Sequence, residues 1–91
     1  MAANHLHSIV NTQEGEVVSV HLTGNAANVL LLDALNYANY EAGRAYQYFG
    51  GYYTRTPAVI TPPHAGYWHV VVDLGGGAGR VGASVSVLPA D

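Results

Sequence analysis

Residues 62–79 read PPHAGYWHVVVDLGGGAG, and the fold turns on how that stretch is parsed. Taken as a site, it offers His64 and His69 as ligands or bases and a glycine run as a phosphate cradle. Taken as architecture, it is a turn, a strand and a second turn. Alternation favours the architecture. Trp68, Val70, Val72 and Leu74 fall on one face of an extended 67–74 segment, and Tyr67, His69, Val71 and Asp73 on the other. A dinucleotide or P-loop glycine run must join a strand to a helix, and the P-loop needs a lysine that this chain lacks altogether. GGGAG at 75–79 joins two strand-like runs instead, where glycine supplies the positive φ of a hairpin turn. Trp68 becomes the expected core anchor.

The same parsing extends outward. EVVSVHLTG (16–24) places Val18, Val20 and Leu22 on one face, and RVGASVSVL (80–88) places Val81, Ala83, Val85 and Val87 on one face. The unbroken run Val29 to Leu32 within NAANVLLLD predicts a strand covered on both sides. Glycine-, proline- and asparagine-rich breaks recur between the runs, FGG at 49–51 among them. One segment, at about 34–43, predicts a short helical turn, with Asn36 as N-cap and Gly43 as stop. Short strands at this spacing predict an all-β fold, a small antiparallel β-sandwich or a jelly-roll-like barrel. The 91 residues fit a single domain, 1–91.

Composition narrows function by exclusion. Only 10% of residues are charged, against about 25% in an average soluble domain. A surface finished with Asn, Ser, Thr, Gly and Tyr is adhesive, so a homo-oligomer or a fixed protein partner is expected. Three arginines dispersed along the chain and a net charge of −3 do not make the clustered cation surface that phosphate binding needs. Neither nucleic acid nor an anionic membrane is expected as a partner. No apolar run approaches the ~20 residues of a membrane span. MAANHLHSIV lacks the basic and long apolar regions of a secretory leader, and there is no cysteine, so cytoplasmic residence is the default expectation.

Candidate chemistry is sparse. His5 and His7 share a face if their segment is a strand, but no cysteine or His-Glu-x-x-His pattern completes a metal site. Asp33 and Asp73 each end an apolar run, where an aspartate accepts backbone N–H groups and starts a turn. His69 and Asp73 are four apart on one strand, about 13 Å, too far to touch. No Gly-x-Ser-x-Gly elbow is present. A non-enzymatic protein without metal or cofactor is the expectation, with a hydrolase or metal site at His64, His69 and Asp73 as the least favoured alternative. The aromatics carry more weight: six of the seven tyrosines lie between residues 37 and 53. Trp68, Tyr46 and Tyr48 are assigned to core or corners. Tyr37, Tyr40, Tyr52 and Tyr53, with Arg44 and Arg55, form a candidate patch for a partner or for a small nucleotide- or sugar-like ligand.

Over about residues 16–88 the chain also resembles the bacterial family called domain of unknown function 1883. The resemblance rests on NVLLLD, NYANYEAG, YFGG, the Thr-Pro step, PHAGYWHVVVDL and the closing VGASVSVL. It implies a small β domain that occurs alone or appended to other modules, TIR signalling domains among them. It thereby implies an accessory or recognition role, and it assigns no activity.

Overall fold

A computed structural model of the chain describes residues 5–89. The leader reading therefore rests partly on residues 1–4, outside the described residues. Seven strands and one helix follow in the order β1 (His5–Thr12), β2 (Glu16–Gly24), β3 (Ala27–Leu32), α1 (Ala34–Ala42), β4 (Phe49–Tyr53), β5 (Ala58–Ile60), β6 (Gly66–Asp73) and β7 (Val81–Pro89). They form two antiparallel sheets, a four-stranded one in the order β1-β6-β3-β4 and a three-stranded one in the order β5-β2-β7. The protein is a small all-β sandwich with one helix.

The strand faces read from the sequence are the faces observed. Val18 and Val20 of β2, Val29 and Leu31 of β3, and Trp68, Val70 and Val72 of β6 meet in one buried core, completed by Ala27, Ala58 and Ile60. The other faces of β3 and β6 supply Leu30, Leu32 and Val71, which are covered from outside by Tyr40 of α1. Burial on both sides is why β3 is an unbroken aliphatic run.

The structure corrects several local readings. Asp33, and not Asn36, caps α1: it is extended, and its carboxylate accepts the Asn36 backbone N–H at 2.8 Å. The Asn36 side-chain oxygen Oδ1 instead accepts the Gln47 N–H at 2.8 Å, which ties the chain beyond the helix back to its first turn. Gly43 ends the helix as expected, in the left-handed conformation at φ 75°. Its N–H donates to Tyr40 O, and that of Arg44 to Asn39 O at 2.9 Å, the paired bonds of a Schellman end. GGGAG is not a hairpin. Both sides of β6 are taken by β1 and β3, so the run carries the chain to the other sheet, where β7 pairs with β2. FGG is not a break either, because it lies inside β4. Gly50 has φ 121°, and a Cβ there would overlap the Val29 carbonyl oxygen, so glycine is what lets β4 close on β3.

The cap gives a first test. Asp33→Ala is expected to cost about 1 kcal/mol and to lower Tm by about 4–8 °C, read in a thermal melt. Asn36→Ala should cost stability too, through the Gln47 bond and the side-chain bond it donates to Asp33 Oδ1 at 3.0 Å.

Candidate functional site

Two features of the surface are built from residues that the sequence keeps far apart. The first is an aromatic and histidine cluster on the outer face of the four-stranded sheet. Pairing of β1 with β6 sets His5 opposite Asp73 and Ile9 opposite His69, so His7 and His69 are diagonal neighbours. Nε2 of His7 lies 2.8 Å from Nδ1 of His69. The two rings lie within 1° of parallel with centroids 5.0 Å apart, so they are joined in line through one N–H···N bond. Tyr37 of α1 lies across both imidazoles, stacked on His7 at 4.1 Å and on His69 at 4.6 Å. Its hydroxyl is 3.2 Å from Nε2 of His5. Burial, then the neighbouring His69 and His5, holds His7 below the ordinary histidine range, with Glu41 opposing.

Beside this stack lies a buried polar knot. Tyr40 donates to Asp73 Oδ2 at 2.5 Å, while Oδ1 accepts from Asn28 Nδ2 and from the Gly75 N–H, both at 2.9 Å. Burial works against the Asp73 charge. Hydrogen bonds from Tyr40, Asn28 and Gly75, aided by His5, nevertheless bring its pKa below the ordinary carboxylate value. Tyr40 is pushed far above the ordinary phenol value, first by burial and then by the Asp73 bond and charge. The knot joins β3, β6, α1 and the glycine run at one corner.

The second feature is an open side. The long strands β1 and β7 are the edges of their sheets on the same flank of the sandwich. The inner face of β1 presents Leu6 and Ser8, and that of β7 presents Ala83 between Val81 and Val85. Ser8 and Ala83 are too small to meet across the gap, so Leu6 stays 42% exposed and Ala83 is exposed as well. Two adjoining cavities follow this flank and share Leu6 and Val72. One of ≈ 380 Å³ lies where β7 begins, with Arg80 at its rim, and one of ≈ 190 Å³ continues past Ala83 and Val85. The opposite flank, by contrast, is filled by the buried Ala58 and Ile60 of β5.

The residues singled out from the sequence are distributed as follows. Tyr37 and Tyr40 belong to the cluster and the knot. Arg44 follows the helix and donates from Nε to Asn39 Oδ1 at 3.3 Å. Tyr52 is exposed on the outer face, opposite Asn28. Tyr53 packs against the core, and with Arg55 it lines a separate cavity of ≈ 220 Å³ beside Leu22 and Asn25. Trp68 is buried, as expected, and its indole N–H donates to His64 O at 3.1 Å. Tyr46 and Tyr48 are not core residues. They lie on irregular chain before β4, 36% and 47% exposed; Tyr46 packs edge-on against Tyr40, and Tyr48 lies tilted against Tyr46. His69 and Asp73 make no bond with each other: one pairs with His7, the other with Tyr40 and Asn28. Among the described residues no set of three or more His, Cys, Asp or Glu side chains is placed to hold a metal ion. No helix among them is long and apolar enough to cross a membrane.

Sandwich, covering helix and glycine-rich crossover together define a small β-sandwich domain. The chain belongs to the family described as domain of unknown function (DUF1883), whose model matches residues 4–91. No curated protein and no solved structure shows a significant match to it.

Proposed function

We propose that this domain is a non-enzymatic interaction module that self-associates along the free edge of β7. The observation that carries the reading is the edge itself. β7 is nine residues long, is paired with β2 alone among the described strands, and has no charged residue from Val81 to Pro89. Sheet proteins ordinarily guard such edges with charge, bulges or short strands, because a bare edge pairs with another chain. The edges on the other flank are short, five residues in β4 and three in β5. An antiparallel pair of β7 strands about a two-fold axis brings Val, Ser, Gly and Ala together with no like charges opposed. It would extend the three-stranded sheet to six strands.

The polar residues support the non-enzymatic part. Asp73 is committed to three donors, and His7 and His69 to each other. Arg44, Arg55 and Arg80 lie at three separate places, which supports a partner other than nucleic acid. Sedimentation velocity at micromolar concentration is expected to show a dimer. Ser84→Lys with Ser86→Lys, both exposed on the outer face of β7, is expected to give a monomer with an unchanged circular dichroism spectrum. A monomeric wild type, or a dimeric double variant, would overturn the reading.

A further inference from the structure

We infer that the groove between β1 and β7 is a binding site for an anionic amphiphile, a hydrocarbon chain ending in one carboxylate. The groove is formed by residues of one chain.

The walls are aliphatic in part, with His5, Asp73 and Arg80 also lining the wider cavity and His7 and Ser8 the narrower one. Leu6, Val72 and Val81 line the wider cavity, and Ala83 and Val85 carry the apolar surface into the narrower one. These are inner-face positions of a sandwich, where side chains ordinarily meet partners from the opposite sheet. Here Ser8 and Ala83 leave the space between the sheets unfilled. The cavity at the mouth, ≈ 380 Å³, already falls within the range of small-molecule sites. From Val81 to Val85 the apolar path along β7 is about 13 Å, long enough for an extended medium-length acyl chain.

The head group is set by charge. Arg80 stands at the mouth, at the end of the glycine run. Its backbone N–H is held by Asn25 Oδ1 at 2.8 Å, which fixes the turn, while its guanidinium makes no ion pair with an acidic residue among the described ones. A guanidinium next to apolar walls matches a carboxylate, which it can take through two parallel N–H···O bonds. The acidic group nearby, Asp73, does not compete. It is only 9% exposed, and its oxygens are turned to Tyr40, Asn28 and the Gly75 N–H. A cationic head group would find no uncommitted carboxylate there and would face Arg80.

Isothermal titration of the protein with octanoate tests the assignment, with octylammonium as the probe of opposite charge. Saturable one-to-one binding of octanoate is expected, with octylammonium at least tenfold weaker. Arg80→Gln is expected to raise the octanoate Kd at least tenfold while leaving the thermal melt unchanged, since the backbone bond to Asn25 persists. Ala83→Phe, which fills the narrower cavity, is expected to abolish binding of the chain. No saturable octanoate binding, equal binding of octylammonium, or an Arg80→Gln variant that binds as tightly as wild type would each overturn it.

Discussion

Asp73→Ala is expected to destabilise the domain by about 3 kcal/mol or more, one of the two largest losses from any single side chain in the protein. The replacement leaves the Tyr40 hydroxyl, the Asn28 amide and the Gly75 N–H without their acceptor, the first of them in a buried place. An orphaned buried polar group costs about 1–3 kcal/mol, and only the Gly75 end is open enough for water to substitute. For a domain of this size that corresponds to a fall in Tm of about 12–24 °C. Asp73→Asn separates acceptor geometry from charge. Its amide oxygen can still serve Asn28 and Gly75, and the Tyr40 hydroxyl can rotate to accept from the new amide N–H. The asparagine variant should therefore lose less than half of what alanine loses. Urea midpoints at constant m would show this, and equal losses in the two variants would place the effect in the charge alone.

The same residue fixes the acid limb of stability. The Asp73 pKa is lower folded than unfolded, so the native state binds fewer protons there, and the unfolded state gains as pH falls. Its contribution is present above the ordinary carboxylate value and is lost as pH drops through the lower, folded value. His7 acts in the same direction at higher pH. Its folded pKa also lies below the ordinary histidine value, so acidification through that range favours the unfolded chain. Stability is expected to decline in two stages on acidification. His7→Gln should remove the upper stage and leave the lower one, measured as urea midpoint against pH.

The faces of β2, β6 and β7, the double burial of β3 and the existence of α1 were legible because alternation and capping are local properties. The shared face of His69, Val71 and Asp73 is a consequence of period two alone. Pairing is not local, and most of the site depends on it. That His7 meets His69 follows from β1 lying beside β6, two strands separated by more than fifty residues of chain. The reading of FGG as a break failed for a related reason. Gly50 is required by the approach of β3, which no neighbour in sequence reports. The aromatic segment misled because tyrosine suits core edge, stacking surface and exposed loop alike. Only the packing of α1 decides that Tyr40 is buried while Tyr46 and Tyr48 are not. The groove had one faint signal, the small Ser8 and Ala83 within otherwise aliphatic inner stripes. Their meaning depends on knowing that the two stripes face each other.

Trp68→Ala should rival the loss at Asp73, at about 3–5 kcal/mol. Trp68 is 2% exposed and sits on the inner face of β6, between Val10 of β1 and the rest of the core. Phe49 meets its ring edge-on at 6.0 Å, and the His64 imidazole covers its other end at 4.9 Å. Removing the indole opens a cavity that its strand neighbours Val10 and Val70, β-branched and on paired strands, have little freedom to fill. A typical domain holds only about 5–15 kcal/mol in all, so the alanine variant should sit near the limit of folding at 37 °C. Trp68→Phe divides the effect. It keeps an aromatic ring against Phe49 but leaves the His64 carbonyl without its donor, and should cost about 1–2 kcal/mol beyond the lost volume. The larger consequence reaches the turn. His64 O is what the indole N–H holds, so both variants should loosen residues 62–65 and speed amide exchange at His64 and Ala65 relative to β2. If exchange in that turn is unchanged while stability falls, Trp68 acts only by filling the core. If it rises, the tryptophan both anchors the strand and fastens the turn that delivers the chain into it.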